Sequence, residues 1–317
     1  MCVYSESRDE ARARYSGSMI MGAPRGAAIP GSEPLWVLAG ASGRVGRMLV
    51  RHWQSSPPDG LRIVPQYREG GLPGVIWSPL EGAGPLLQWA AKHGDVAGLM
   101  MLAGVTPGQG ADLDANAALA RAAVDAARAV GVRRVLVASS SAVYGAGVGH
   151  PLDEDAPTLP VNDYGRAKLA AEAACADADD LDLCCLRIGN VAGADALLRN
   201  AVHARTDAPL RLDRFADGGG PIRSYIGPAT LAHVLETLAR QPEPLPRVLN
   251  IGAPQPVAMQ ALAEAAAAPH VMVDAPATAL QHITLDCTRL AALHGFAPDD
   301  SDAAGMVAQW QAVKDRA

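Results

Sequence analysis

The segment Asp163-Tyr-Gly-Arg-Ala-Lys168 sets a phenol and an ammonium four residues apart at the start of an alanine-rich run. At that spacing both side chains leave one face of a helix, so Tyr164 and Lys168 can address a single bound molecule. A free phenol is a poor base at neutral pH. A neighbouring ammonium favours the phenolate, and a fall of about 2 pKa units is worth roughly 2.7 kcal/mol. Tyr164 then becomes a usable acid/base. A tyrosine with a cation four residues on is also a common surface pair, so the assignment depends on what the rest of the chain builds around it.

From residue 35 the chain repeats a short apolar run, a turn and an amphipathic stretch, which is the pattern of βαβ units. The runs fall at 35–39, 61–64, 75–77, 96–102, 135–138, 183–188 and 248–251, and most are continuously apolar. Continuous runs predict strands covered on both faces, as in a doubly wound parallel sheet. Helices predicted at 44–53 and at 112–130, the second ended by Gly131, serve as crossovers. After Gly189 the rhythm breaks, with a glycine-rich loop at 217–221 and three prolines between 242 and 246. The expected division is a flexible tail at 1–33, a dinucleotide-binding domain at 34–189 and 225–252, and a smaller, less regular substrate lobe at 190–224 and 253–317. Met19 and Met21, close before the first strand, are candidate alternative starts.

Between the first strand and the first helix stands Gly40-Ala-Ser-Gly43-Arg-Val-Gly46. Glycines there permit a tight turn, a close approach of backbone to a pyrophosphate and tight helix–strand packing, while the helix N-terminus offers N–H groups and partial positive charge. Gly40, Ser42, Gly43, Arg44, Val45 and Gly46 are therefore expected to hold a dinucleotide. An acid at the end of the second strand would bind the ribose 2′-hydroxyl of NAD. Here Gln66 and Tyr67 fill that place and Arg68 follows. Arg68, with Arg44 as a second cation, suits a 2′-phosphate and favours NADP over NAD. If the strand runs longer, Glu69 is the ribose acid instead.

Composition narrows the field further. The 317 residues are 49 % hydrophobic and carry a formal net charge of −6, which leaves no broad basic face for nucleic acid. No apolar run reaches the 18 or so residues of a membrane span. Five cysteines, two of them adjacent at Cys184 and Cys185, make neither an even disulfide framework nor a CxxC pair, which suggests a reduced cytoplasmic setting. The adjacent pair fits a strand buried on both sides. The eight histidines are scattered without ligand spacing, so no metal is expected, and residues 1–33 lack the apolar core of a signal peptide.

With the glycine loop, "SSSAVYG" and "DYGRAK" in this order, the chain resembles the short-chain dehydrogenase/reductase superfamily, and most of all its extended NAD(P)-dependent epimerase/dehydratase branch. The likeness runs from Leu35 to about Pro298. It implies a Rossmann-type α/β fold. It also implies that "LAG" (Leu102, Ala103, Gly104) and Asn116 lie beside the cofactor, that Ile188 in "LRIGNVAG" does too, and that Lys168 bonds the nicotinamide ribose. A serine at the end of a strand would bond the substrate oxygen: Ser140 aligns best, Ser139 would face the cofactor, and Ser141 is the fallback. Asn190, and Arg223 in "IRSYIG", match positions near the substrate diphosphate in sugar-nucleotide members. Two departures stand out. The segment "IWSPL" lacks the family's acid after the third strand, and the Arg segment runs to Gly227-Pro-Ala rather than to an aspartate.

The resemblance implies hydride transfer between the nicotinamide and a secondary alcohol or ketone, of a sugar or sugar nucleotide, with Tyr164 as acid/base. Only Ser141 and Ala142 follow Ser140, which counts against dehydration. The short segment 194–221, with few charges, keeps an NADPH-dependent reductase of a small carbonyl compound open as an alternative. A non-catalytic NADP-binding sensor or scaffold is a further one, although both Tyr164 and Lys168 are present. Related enzymes often pair as homodimers through two long helices, here 112–130 and 164–178.

Overall fold

The computed structural model describes residues 33–70, 72–147 and 149–314. The tail expected at 1–33, with its two candidate start methionines, lies outside the described residues except for Glu33. The elements run β1 (Leu35–Ala39), α1 (Arg44–Ser55), β2 (Arg62–Tyr67), β3 (Val75–Ile76), α2 (Gly84–His93), β4 (Val96–Met101), α3 (Ala115–Val130), β5 (Arg134–Ser140), α4 (Asp163–Ala173) and β6 (Asp182–Ile188). After them come β7 (Asn190–Val191), α5 (Ala196–Ala201), β8 (Leu210–Arg214), β9 (Ile222–Arg223), β10 (Tyr225–Ile226), α6 (Pro228–Arg240) and β11 (Val248–Ile251). The chain closes with β12 (Val257–Ala258), α7 (Met259–Ala265), β13 (His270–Asp274), β14 (His282–Ile283), α8 (Thr288–Leu293) and α9 (Ala303–Val313).

Seven strands form one sheet in the order β11-β6-β5-β4-β1-β2-β3, every neighbouring pair parallel. The chain winds outward from β1 through β2 and β3, then returns to the other side of β1 with β4. That reversal opens a crevice at the carboxyl ends of β1 and β4, where such sheets bind ligands. This is the Rossmann-type α/β arrangement expected from the sequence.

The continuous apolar runs sort cleanly onto two faces. Trp36, Leu38, Met100, Leu136, Cys184 and Leu186 join one buried cluster with Met48, Leu49 and Trp53 of α1 and Leu231 and Leu235 of α6. Their neighbours Leu35, Val37, Leu99, Val135, Val137 and Cys185 join the other, with Ala123, Val124 and Ala127 of α3. Cys184 and Cys185 thus face opposite ways, and with Cys175 and Cys287 they are free thiols. Each fully buried aliphatic side chain contributes roughly 1.5–3 kcal/mol, so two covered faces explain why so few positions in the sheet are polar. Gly98 of β4 pairs in register with Trp36, and a Cβ there would lie 2.3 Å from the indole. The glycine makes room for the ring.

Three elements differ from expectation. The crossover helix starts at Ala115 rather than 112, because Asn116 turns its amide back onto Leu113 O and Val105 O instead of leaving a straight first turn. β2 extends to Tyr67, since Trp77 N donates to Tyr67 O and draws β3 alongside. α4 ends at Ala173, and residues beyond it turn so that Asp177 and Asp180 meet Arg121 and Arg128 of α3. The segments after β6 build small sheets, β7 with β10, β8 with β13, and β9 between β12 and β14. Their apolar residues Leu197, Leu198, Leu262, Met306 and Trp310 join the same cluster as α1 and α6. Among the described residues no helix is long and apolar enough to cross a membrane.

Candidate active site

The glycine loop makes a cradle whose shape depends on having no side chains. Gly40 holds φ +93°, and a Cβ there would lie 2.5 Å from Ala103 N at the end of β4. A Cβ on Gly46 would meet Gly40 O at 2.2 Å. Gly43 is the N-cap of α1, and no side chain caps it, so the first N–H groups of the helix point into the crevice. The turn is also held from below: Gly40 N donates to Gln66 Oε1 at 2.9 Å, and Gln66 Nε2 donates to Trp77 O. Gln66, at the end of β2, is therefore a buried brace for the cradle.

A cleft of about 570 Å³ opens over this cradle. Gly40, Ser42, Gly43, Arg44, Val45, Gly46, Leu102, Gly104, Ser139, Ser140, Tyr164, Ile188 and Asn190 line it, all expected from the sequence. Arg47, Thr106, Pro107, Gly189 and Asp195 line it too and were not anticipated. Arg44 Nη2 donates to Thr106 Oγ1 at 2.7 Å, spanning the crevice from the start of α1 to the loop after β4.

Tyr164 enters the cleft from the first turn of α4, which is capped by Asn162 Oδ1 accepting from Gly165 N at 2.8 Å. Burial pushes its phenol above the ordinary value, while the Ser140 hydroxyl bond and the Arg44 charge pull it down. Helical spacing assigns the lowering role to Lys168; the structure gives it to Ser140 and Arg44. Lys168 is buried, with Nζ 6.0 Å from the centre of the Tyr164 ring and donating to Ala138 O at 2.9 Å. Burial depresses the ammonium to about 8, against smaller raising effects of Cys185 and Glu172. Lys168 and Asn116 lie directly beneath Gly104: a Cβ on that glycine would be 3.0 Å from both Lys168 Nζ and Asn116 Oδ1. The missing side chain leaves Nζ a route to the cleft.

The three serines diverge. Ser140 caps a 3-10 turn at Ser141–Tyr144 by accepting from Ala142 N at 3.2 Å and lines the cleft beside Tyr164. Ser139 reaches the cleft wall, and its hydroxyl donates to Glu172 Oε1 at 2.5 Å. Ser141 faces a side cavity with Tyr144, Asn190 and Arg223. Arg223 does not line the main cleft: its guanidinium donates to the carbonyls of Ile222, Gln281 and Leu280 at 2.6–2.9 Å. Burial lowers it from the usual arginine value. Asn116 and Ala103 sit behind the wall, and Arg68 and Glu69 are exposed beyond β2. Asp195, pushed by burial above the usual carboxylate range, caps α5 and accepts from the Tyr225 hydroxyl at 2.9 Å. An aspartate just before Ala-Leu-Leu was its legible signal as a helix cap.

Several known proteins are similar to part of this chain or to its fold. A UDP-glucose 4-epimerase of Azospirillum brasilense is 47 % identical over 68 residues, a stretch covering 20 % of this chain and 20 % of that enzyme. The same enzyme of Halalkalibacterium halodurans is 43 % identical over 67 residues, again 20 % of each. The chain thus matches about a fifth of the length of these relatives. Among solved structures, a short-chain dehydrogenase/reductase superfamily protein of Agrobacterium tumefaciens with bound NAD superposes with a TM-score of 0.68 at 22 % identity, over 88 % of this chain and 96 % of that one. UDP-glucose 4-epimerase of Thermus thermophilus in complex with NAD gives 0.67 at 20 % identity, over 87 % and 99 %. These likenesses establish the fold. Residues 36–252 match the model of the NAD dependent epimerase/dehydratase family, and the chain belongs to that family.

Proposed function

We propose that the chain is a nicotinamide-dinucleotide-dependent oxidoreductase or epimerase of the extended short-chain dehydrogenase type. It moves a hydride between nicotinamide C4 and a secondary alcohol or ketone of a sugar or sugar nucleotide. The observation that carries this reading is the meeting of Tyr164 and Ser140 in one cleft over the glycine cradle, with Lys168 reachable under Gly104. The cradle fits a dinucleotide, since a Cβ on Gly46 would occupy space that the turn needs. When bound, the nicotinamide supplies the hydride acceptor or donor.

The chain's own groups supply the rest. Tyr164 Oη takes the proton of the substrate hydroxyl or returns it to a carbonyl oxygen, and Ser140 Oγ bonds that oxygen and fixes its distance from the phenol. Lys168 Nζ would bond the nicotinamide ribose, and Arg44 with the α1 N-terminus would hold the pyrophosphate. The lobe at 190–224 and 253–317 holds the substrate, beginning with Asn190. Family membership and the named UDP-glucose 4-epimerases among the relatives support a sugar nucleotide.

A second reading, reduction of a small carbonyl compound, is favoured by Arg223. The cation expected to meet a diphosphate is already engaged by three backbone carbonyls. For the cofactor we favour NADP: β2 ends in Gln66 and Tyr67 with no acid to repel a 2′-phosphate, and Arg68 lies exposed just past it. The solved relatives named above carry NAD, which keeps NAD as the alternative. Free buried cysteines agree with a reducing cytoplasm, and the packing of α3 on α4 agrees with a homodimer through those helices.

The test is fluorescence titration of NADPH and NADH into the protein and into Tyr164→Phe, followed by assay against UDP-sugars and small ketones. Both proteins should bind cofactor alike, and the variant should lose about 10²–10⁴-fold in turnover. Full activity in the variant, or no cofactor binding, would overturn the reading. A clear NADH preference would remove the argument from Arg68.

A further inference from the structure

Away from the cleft, where the last turn of α1 meets α6, three metal-ligating side chains come together. His52 comes from α1, and His233 and Glu236 stand at i and i+3 on α6, where they share a face. One ligand atom from each lies within 4.8 Å of the other two. The two imidazole rings meet edge to face with centroids 5.1 Å apart.

Two further observations make this more than proximity. Among the described residues, His52 Nε2 is the one buried side-chain nitrogen or oxygen without a hydrogen-bond partner. A buried nitrogen left unmet is costly once water is excluded. Glu236, for its part, is held in place from outside: Oε1 accepts from Trp53 Nε1 at 2.7 Å, and Oε2 faces Arg240 Nη1 at 3.4 Å. Arg240 sends its other terminal nitrogen to Asp59 O at 2.6 Å. Outer partners of this kind orient ligating carboxylates, and a carboxylate so held still has lone pairs to give.

We propose that His52, His233 and Glu236 bind a divalent transition-metal ion of the zinc type, joining α1 to α6. Two imidazole nitrogens and one carboxylate oxygen suit zinc and its neighbours rather than magnesium or calcium, which prefer all-oxygen sets. Tetrahedral zinc brings ligand atoms to about 3.3 Å from one another. The remaining closure falls to His233, the exposed member of the three. His52 and His233 are 181 residues apart along the chain, so no local spacing reveals the set.

The experiment is calorimetric titration of zinc chloride into chelator-treated full-length protein, with melting curves recorded alongside. Wild type should take up one equivalent and melt higher with zinc than without, and magnesium should have no effect. His233→Ala and Glu236→Gln should each weaken uptake by at least about tenfold. Far-ultraviolet circular dichroism is the check that each variant is folded, and the spectra should match that of wild type. No uptake by wild type, or uptake undiminished in either folded variant, would overturn the proposal. Neither result bears on the reading of the cleft.

Discussion

At Tyr164 and Lys168 the balance between burial and charge is set by a few atoms. Lys168 carries a depressed ammonium, about 8 against an ordinary 10.5, because it is buried with one carbonyl for company. In the unfolded chain the group keeps its ordinary value, so between about pH 8 and 10.5 the unfolded state binds more protons than the folded one. Stability therefore rises with pH across that window, and below it the full cost of a buried charge is present. Lys168→Met should accordingly stabilise the cofactor-free protein at pH 7 by about 1–2 kcal/mol, after allowing for the lost bond to Ala138 O. The gain should shrink as pH rises towards 10.5 while turnover is lost at every pH. Denaturant titrations at about pH 7 and about pH 10 check the sign.

The glycine turn and α1 work as one element, because the loop backbone folds directly against the helix it starts. Gly46→Ala would drive a Cβ onto Gly40 O at 2.2 Å, a rigid backbone contact that only a shift of the whole cradle can relieve. The expected result is a loss of about 1–3 kcal/mol in stability and at least a tenfold loss of cofactor affinity. Gly295, by contrast, has nothing within 4 Å of where a Cβ would stand and no positive φ. Gly295→Ala should leave stability within about 0.5 kcal/mol and binding unchanged. Thermal melts and cofactor titration of the two variants separate a steric cradle from a general intolerance of glycine replacement.

Across the whole molecule a buried polar network ties the sheet to the segments after it. Arg187 of β6 donates to both oxygens of Glu172 on α4, and also to the Tyr144 hydroxyl and Glu154 O. Tyr144 passes the bond on to Asn250 Oδ1 of β11, whose N–H donates to Glu154 Oε1. Burial opposes the Arg187 charge, yet its bonds to Glu172 and Tyr144 outweigh that and raise the guanidinium above its ordinary value. Glu172→Gln leaves that cation without its counter-charge and should cost about 3–5 kcal/mol. A fall in denaturant midpoint with an unchanged slope would report it. The network also takes in Ser139, whose hydroxyl donates to Glu172 Oε1.

Periodicity alone carried the seven strands, the crossover helices and the cradle, because burial on two faces and tight glycine contacts leave direct marks on residue type. Tyr164 was legible from its spacing to Lys168, and Ser140 and Asn190 only through the family resemblance; all three line one cleft. Pairings between distant segments leave no such mark. Gln66 as the brace of the turn, Arg44 reaching Thr106, Arg223 engaged by backbone carbonyls, and His52 meeting His233 and Glu236 all depend on which side chain finds which partner across the fold. Local pattern specifies what is apolar and where the backbone must turn. Only packing in three dimensions decides the partners of buried polar groups, because an unmet hydrogen bond or charge is costly only once water has been excluded.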